Sequence, residues 1–336
     1  MKLDRLHEIL GRAAGKRIAV AGDLMLDEFV WGKVGRISPE APVPVVEVTG
    51  ESFYPGGAAN VARNLREFIA DVAVIGTVGA DPGGRQLLEL LREQKIETGL
   101  VLQDPEFRTI VKTRIVARHQ QVVRVDREEI RPPNEKQVGQ VRAAVREILP
   151  TLDGFIFEDY GKGFLEATLV RQISADLSVA GKIATADPNP QRSVDWGKVT
   201  AVKPNRSEAL QAAGLPPSDP IDPPLEDKAI LSAGLRLLAL WETEMLLITL
   251  GEQGMMLLER NQPPHHIPTE ARQVFDVSGA GDTAIALFTL ALCCEATPVE
   301  AAEIANHASA VVVAKLGTAT VTPAELIASF EDNDHA

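Results

Sequence analysis

The sequence predicts a three-layer α/β fold, a mainly parallel β-sheet covered by helices on both faces, together with a small β-sheet extension. Short apolar runs alternate with amphipathic segments of helical period along most of the chain, which is the βα rhythm of parallel sheets. The chain is helical from residue 280 onward. Two further stretches break the rhythm, because they alternate in strand fashion without an intervening helix, and these predict the extension.

Taken in order, the elements of the main layers begin with an amphipathic charged segment at residues 1–17. The apolar runs that predict strands are residues 17–21, 72–77, 154–158, 183–186, 200–202 and 245–250. The segments that predict helices between them are residues 58–68, 83–94, 134–149, 165–180 and 227–241. The Pro-rich patch 215–224 is typical of a surface loop within the core, so we expect a single domain over residues 1–336.

The extension is predicted by residues 32–48 and 108–125, which contain VPVVEV and TIVKTRIVARHQQVVRV. These stretches could pair into a lid over about 33–49 and 108–125 that projects from the main sheet. They could equally form an ordinary edge hairpin on that sheet. Three prolines, Pro39, Pro42 and Pro44, suit an edge strand in either case.

Composition excludes several classes of protein. A formal net charge of −13 over 336 residues argues against nucleic acid as the main partner, although a few local cations could still hold an anionic small substrate. The longest apolar stretch, residues 283–296, is too short to span a membrane, and the N-terminus has no signal-peptide core. Cys293 and Cys294 are adjacent and form no disulfide framework. We therefore expect a cytoplasmic protein.

The most informative motif is DVSGAGDT at residues 276–283, which leads into an apolar helix. Gly279 and Gly281 allow the backbone N–H groups to converge at a helix N-terminus, a geometry that binds anions. A carboxylate beside such a site, Asp282, suits a general base for phosphoryl transfer to an alcohol. The alternative is that Asp282 only caps the helix.

Two weaker signals lie earlier in the chain. Residues 55–60, PGGAAN, form a glycine turn that opens a helix, and Asn60 offers both a donor and an acceptor; a plain βα turn is the alternative. Asp23 and Asp27 follow the first predicted strand, at the sheet edge where open α/β sheets bind ligands. Carboxylates there suit sugar hydroxyls, unless they are helix caps or solvated acids.

Two more signals follow later strands. Asn205 and Glu208 are three residues apart and could hold water or Mg²⁺ near phosphates, or could form a plain capping box. Thr249, Gly251 and Gly254 follow another strand, where a nucleotide could lie against the glycine turn, or the turn could simply close a hairpin.

The order of these motifs resembles the ribokinase (PfkB) family of carbohydrate kinases over nearly the whole chain, and DVSGAGDT matches that family's second signature. The resemblance implies a ribokinase-like fold, ATP and Mg²⁺, with Asp282 as catalytic base. It leaves activation by a monovalent cation open. The anion hole that it implies is Gly279, Ala280 and Gly281. The implied sugar contacts are Asp23, Asp27, Gly56, Gly57, Asn60 and Asp159. The implied nucleotide and Mg²⁺ residues are Asn205, Glu208 (a metal ligand through water), Thr249, Gly251, Gly254 and Asn306.

Four segments, GRISPEAPVPVVEV, ARHQQVVRVD, DYGKG and AKLGTATVTPAEL, resemble the heptose-phosphate kinases of this family. That resemblance implies phosphorylation of the anomeric hydroxyl of D-glycero-β-D-manno-heptose 7-phosphate and a homodimer formed through the lid. Arg118, Arg124 and Lys162 would bind the distal phosphate, since Arg forks suit phosphate. Alternatives are a kinase for a fructose phosphate, ribose or a nucleoside, or a catalytically silent regulator.

Two positions depart from the family pattern. Residues 187–192, DPNPQR, replace an expected lysine-glycine run, and Glu158 stands where a small polar residue is expected. Neither belongs to the predicted base or anion hole, so we expect these departures to bear on the sugar and not on the reaction. The chain ends at Ala336 without an HxGH-like nucleotide motif, which leads us to expect a kinase without an attached nucleotidyltransferase half.

Overall fold

A computed structural model describes residues 1–118, 120–191, 194–270, 274–315 and 317–331. In these residues the strands are β1 Arg17–Gly22, β2 Leu24–Ile37, β3 Pro44–Gly57, β4 Asp71–Gly79, β5 Val101–Asp104, β6 Ile110–Ala117, β7 Gln120–Arg127, β8 Gly154–Glu158, β9 Ile183–Asp187, β10 Ala201–Val202, β11 Met245–Thr249, β12 Met255–Glu259 and β13 His265–Ile267. The helices are α1 Leu3–Gly11, α2 Ala58–Arg66, α3 Pro82–Glu93, α4 Glu135–Ile148, α5 Ala167–Val179, α6 Arg206–Ala212, α7 Lys228–Leu240, α8 Ala280–Cys293, α9 Pro298–Val313 and α10 Pro323–Glu331.

The main sheet has the strand order β13-β12-β11-β10-β9-β8-β1-β4-β5. Its pairs are parallel from β11 across to β5, and antiparallel only at β11–β12 and β12–β13. Successive residues of β1 serve opposite faces, as the two-residue period of a strand requires: Ile18 packs in one core cluster and Ala19 in the other. Helices α2, α8 and α9 cover the first face, and α4, α5 and α7 cover the second. The predicted three-layer α/β architecture is confirmed.

A second, smaller sheet has the order β3-β2-β6-β7. The pairs β2–β3 and β6–β7 are antiparallel, while β2–β6 is parallel. Both stretches that break the βα rhythm lie in this sheet, so they pair with each other and not with the edge of the main sheet. Its strands are longer than expected, because β2 begins at Leu24, only one residue after β1 ends. Asp27 therefore lies inside a strand of the small sheet, not at the end of the first strand.

The parallel strands of the main sheet present their carboxyl ends at one edge. Glu158 ends β8, Asp187 ends β9, and Lys203 directly follows β10. Helix α8 packs beneath these strands, where Thr289 Oγ1 lies 2.7 Å from Thr185 Oγ1 of β9. This packing brings the N-terminus of α8 to the same edge. Among the described residues, no helix is long and apolar enough to cross a membrane.

Candidate active site

Asp282 lies in the first turn of α8 and is almost fully buried. Asn60 Nδ2 donates a hydrogen bond to Oδ2 at 2.7 Å, and the Tyr160 hydroxyl donates to Oδ1 at 2.7 Å. The orientation of the Asn60 amide follows from its other end, because Oδ1 accepts a hydrogen bond from Arg63 at 3.2 Å. The N-cap of α8 is Gly279, and no described side chain caps this end of the helix. The alternative that Asp282 is a helix cap is therefore wrong.

The surroundings of Asp282 act on its pKa in opposite directions. Burial raises the pKa above the ordinary value of an aspartate, and the hydrogen bonds from Asn60 and Tyr160 oppose that rise. Repulsion from Asp187 adds to the rise, while Lys203 opposes it. The result is a carboxylate that is more basic than one on the surface and is still held by two donors, a combination that suits a general base.

The N-terminus of α8 is shaped for a close approach by an anion. Gly279 adopts the left-handed conformation, with φ +80°, and a Cβ there would lie 2.9 Å from Asn60 Nδ2. A Cβ on Gly281 would lie 3.4 Å from Lys203 Nζ, so the absence of a side chain lets the ammonium group reach the start of the helix. Of the predicted anion-hole donors, Ala280 N–H already donates to Val277 O at 3.3 Å. The helix dipole and Lys203 together make this point positive.

Two charged residues at this edge were missed by the sequence analysis. Lys203 is 3% exposed and pairs with Asp187, with 2.7 Å between Nζ and Oδ2. Burial is the largest single effect and lowers the pKa of Lys203. Attraction from Asp187, Glu158 and Glu208 together outweighs burial, so the pKa is raised. Glu158 is also buried, and desolvation followed by repulsion from Asp187 and Asp282 raises its pKa well above the ordinary value. Their positions in the sequence could have identified them, since both residues stand at the carboxyl ends of predicted strands, on one edge of the sheet.

Four of the predicted sugar contacts, Asp23, Asp27, Gly56 and Gly57, pack against one another where β2 begins and β3 ends. A Cβ on Gly56 would overlap Asp27 Oδ2, and a Cβ on Gly57 would overlap the carbonyl oxygen of Asp23, so both glycines are required for close packing. The carboxylate of Asp27 pairs with Arg114 of β6.

Asp23 is engaged differently, because its carboxylate accepts backbone N–H groups of the loop after β8. The donors are Tyr160 at 3.1 Å, Lys162 at 2.9 Å and Phe164 at 3.1 Å. The structure therefore shows Asp23 as the anchor of the 160–164 loop, whereas the sequence predicted a contact to a sugar hydroxyl. Asp159 Oδ1 accepts from Gly161 N at 2.8 Å in the same loop.

The three cations predicted to bind a distal phosphate do not lie together, and two of them are paired with carboxylates. Arg124 lies opposite Arg114, which lies opposite Phe29, so Arg124 is on the same face of the small sheet as Asp27. Its side chain pairs with Asp126, with 2.8 Å between Nε and Oδ1. Lys162 is half-buried and pairs with Glu128 at 2.8 Å.

The backbone of Arg118 lies far from Asp27. It follows the end of β6, where its N–H donates to Gly32 O at 3.4 Å, and Gly32 is about 17 Å along β2 from Asp27. Another cation, Lys112, lies opposite both Asp27 and Asp126 in the small sheet. The sequence analysis missed it, because only the pairing register of β6 shows which face of the sheet Lys112 is on. His119 and Arg192, which belong to motifs named above, lie outside the described residues.

A cavity of about 490 Å³ opens beside the N-terminus of α8. Four of the six predicted nucleotide and Mg²⁺ residues, Thr249, Gly251, Gly254 and Asn306, line it together with apolar side chains of α9, whereas Asn205 and Glu208 do not. The lining residues are Thr249, Gly251, Glu252, Gly254, Met255, Thr269, Val274, Val277, Ala280, Gly281, Asn306, Ser309, Ala310 and Val313. Asn306 shapes the wall by donating to Pro268 O at 2.7 Å. The turn at Gly251 does close the β11–β12 hairpin, as the alternative predicted, and it also lines the cavity.

Asn205 and Glu208 form a reciprocal capping box at the start of α6. Asn205 Oδ1 accepts from Glu208 N at 2.9 Å, and Glu208 Oε2 accepts from Asn205 N at 2.7 Å. The capping alternative is therefore what the structure shows, although the charge of Glu208 still acts on Asp187 and Lys203. In the part of the chain that the structure describes, no group of three or more His, Cys, Asp or Glu side chains could hold a metal ion.

A larger cavity of about 670 Å³ lies away from this chemistry. It is lined by α5 and by residues 194–198 and 240–242, which precede β10 and β11 and therefore lie at the amino ends of the strands. None of the predicted site residues lines it.

Several known proteins are similar to this chain. Bifunctional protein HldE of Desulfatibacillum aliphaticivorans is 40% identical over 334 residues, which is 99% of this chain and 67% of that protein. Bifunctional protein HldE of Caulobacter vibrioides is 42% identical over 327 residues, with 97% and 65% covered. The chain thus spans about two thirds of the length of the curated relatives it matches.

Solved structures show the same fold at low sequence identity. Arabidopsis thaliana ribokinase complexed with ribose and ATP superposes with a TM-score of 0.72 at 16% identity, covering 94% of this chain and 99% of that chain. Phosphofructokinase-2 from Escherichia coli in complex with potassium gives 0.75 at 17% identity, covering 95% and 99%. The family model described as pfkB family carbohydrate kinase matches residues 16–325. The chain belongs to the pfkB family of carbohydrate kinases, phosphotransferases that act on a sugar hydroxyl.

Proposed function

We propose that this protein transfers the γ-phosphoryl group of ATP to the anomeric hydroxyl of D-glycero-β-D-manno-heptose 7-phosphate, giving the 1,7-bisphosphate. The single observation that carries the proposed reaction is the position of Asp282. It directly follows Ala280 and Gly281, which line the cavity of about 490 Å³, and it accepts a hydrogen bond from Asn60, one of the proposed sugar contacts.

The chain's own residues divide the chemistry between them. Asp282 takes the proton of the attacking hydroxyl, since it is the buried carboxylate in the first turn of α8. The start of α8 and the ammonium group of Lys203 face the charge that develops on the transferring group. Asp27 and Asn60 orient the sugar, and the small sheet, as a lid, excludes water that would compete with the hydroxyl.

Mg²⁺ would be held mainly by the ATP phosphates and water, with Glu208 contributing through water. The donor set fits this mode, because Mg²⁺ in kinases takes one or two carboxylates plus substrate phosphates and not a dedicated protein cage. When bound, Mg²⁺ neutralises charge on the β- and γ-phosphates. Glu208 acts electrostatically on Asp187 and Lys203, next to the start of α8 where the phosphates are proposed to bind.

The choice of a phosphorylated sugar is supported by the cations around Asp27. Lys112 and Lys162 influence each other electrostatically, and Arg124 acts on Lys112 as well, so three positive groups share the sugar side of the site. Two of them are partly neutralised by Asp126 and Glu128. The heptose identity is supported by the lid segments and by the two relatives named HldE.

A homodimer formed through the small sheet is part of the proposal. Val123 and Val125 lie on the face opposite Asp27 and are 46% and 42% exposed. A second copy of the chain would bury them, as apolar side chains at oligomer interfaces are buried.

The test is ADP release from Mg-ATP with D-glycero-β-D-manno-heptose 7-phosphate, fructose 6-phosphate, ribose, fructose and adenosine, with Asp282→Asn as the background control. Strong turnover with the heptose phosphate alone, and a phosphorus NMR signal of an anomeric phosphate in the product, is the expected result. Turnover with a different member would keep the kinase reaction and remove the heptose assignment. Silence with every member, despite ATP binding, would overturn the proposed function.

A further inference from the structure

The sequence contains two tyrosines, Tyr54 and Tyr160, and Tyr160 contacts the predicted base. Its hydroxyl donates to Asp282 Oδ1 at 2.7 Å. Its backbone N–H is held by Asp23 Oδ2 at 3.1 Å, so the residue is fixed at both its main chain and its hydroxyl. The sequence analysis gave Tyr160 no role.

The ring of Tyr160 also contacts the small sheet. It packs against a cluster formed by Met25, Phe107 and Ile110, of which Met25 lies in β2 and Ile110 in β6. Lys112 Nζ lies 5.7 Å from the ring centroid, within the range of a cation–π contact. One side chain thus touches both the small sheet and the carboxylate on α8.

We propose that Tyr160 is a positioning residue that fixes the orientation of the Asp282 carboxylate and couples that orientation to the small sheet. The kinetic part of this inference rests on the proposed function. The hydrogen bond itself can be tested without any substrate.

Two donors are needed to define the plane of a carboxylate, because a side-chain carboxylate rotates about a broad, roughly two-fold torsion. Asn60 holds Oδ2 and Tyr160 holds Oδ1, so rotation is blocked only while both donors are in place. Each carboxylate oxygen can accept more than one hydrogen bond, which leaves a position for the sugar hydroxyl.

The same two donors favour the ionised form of Asp282 against its burial. The other charged groups that act on Asp282 are Asp187, Lys203 and Glu158, and none of these is changed by removing the tyrosine hydroxyl. Loss of the hydroxyl is therefore expected to move the acidic limb of the activity profile to higher pH.

The first experiment compares Tyr160→Phe, which keeps the ring in its apolar cluster, with the matched control Tyr54→Phe. For Tyr160→Phe we expect kcat with the best sugar to fall roughly 10- to 100-fold, the loss of one hydrogen bond to a charged group. The KM for ATP should stay within about 2-fold, because Tyr160 does not line the nucleotide cavity. The deficit should grow as the pH falls. An unchanged kcat and pH profile, or a rise in KM alone, would overturn the proposal.

The second experiment needs no turnover. Protein labelled with 3-fluorotyrosine should give two ¹⁹F resonances, which the two Tyr→Phe variants assign. The Tyr160 resonance should titrate as Asp282 gains its proton and should lose that titration in Asp282→Asn. If the resonance is insensitive to Asp282→Asn, the proposal fails whatever the substrate is. If every sugar is silent while the resonance behaves as expected, the proposed function fails and the contact stands.

Discussion

The carboxylate of Asp282 depends on side chains from two other elements, Asn60 of α2 and Tyr160 of the loop after β8. Removing its charge tests the base without changing the shape of the site. We expect Asp282→Asn to lower kcat at least ~10²-fold, of the order of losing a positioned base, and to leave ATP binding intact. Steady-state kinetics and calorimetric ATP titration measure the two effects.

The matched control is Asp71→Asn, an exposed aspartate at the start of β4. It should keep normal turnover. Near-normal turnover in Asp282→Asn would remove the residue from the mechanism.

Glu158 gives a prediction about stability and pH. Burial raises its pKa, so the folded state binds the proton more tightly than the unfolded state does. Its contribution to the free energy of unfolding is full below the unfolded value of 4.5 and is lost as the pH rises through the folded value. Glu158→Gln stays neutral, so its stability relative to the wild type should improve with rising pH.

Urea unfolding at about pH 6 and about pH 9 measures this difference. Glu93→Gln, an exposed glutamate at the end of α3, serves as the control and should show no such trend. A stability gap between wild type and Glu158→Gln that is the same at both pH values would contradict the prediction.

At the scale of elements, the start of α6 is a capped helix end, and under the proposed function it also lies near the phosphates of ATP. Glu208→Gln separates these tasks, because an amide oxygen can still accept from Asn205 N while the charge is gone. We expect stability within about 0.5 kcal/mol of wild type and a clear rise in the Mg²⁺ concentration needed for half-maximal rate.

Glu300→Gln is the matched control, since Glu300 occupies the same position in the capping box of α9. Its Mg²⁺ dependence should be that of the wild type, even if stability drops through its pair with Arg5. If the wild type, Glu208→Gln and Glu300→Gln depend equally on Mg²⁺, Glu208 caps α6 and has no role in binding Mg²⁺.

The elements themselves were largely predictable from sequence. Periodicity gave the buried strands β8 and β9 almost to the residue, because apolar runs of that length with turns on both sides have few other solutions. It missed the true start of β2, since Leu24, Met25 and Leu26 form a continuous apolar run that carries no alternation.

At the scale of the whole molecule, the face of the small sheet that carries Val123 and Val125 is either exposed to water or buried against a second copy of the chain. Val123→Glu places a charge on its exposed apolar face, opposite Asp27. We expect the wild type to sediment as a dimer and this variant to shift towards monomer, because a buried unpaired charge is strongly unfavourable. Val179→Glu, a change at a 91% exposed position of α5, is the control. A wild type that is monomeric at every concentration would exclude the dimer.

The site was less predictable than the fold, for a physical reason. Glycine turns and carboxylates leave a local pattern, so Asp282 and four residues that line the cavity of about 490 Å³ could be named from sequence. Tyr160, Lys203 and Glu158 act only through neighbours more than a hundred residues away or across the sheet edge, and no local pattern carries that information.

The single-residue join at Asp23 has a consequence for anyone who wants to redesign this protein. Side chains alternate between the faces of a strand, so one residue inserted between Gly22 and Leu24 would turn every side chain of β2 over. Asp27 would move to the opposite face of the small sheet, and the close contact that Gly56 permits would be lost. A library that aims at new sugars should therefore vary side chains at fixed length here and reserve changes of loop length for other connections.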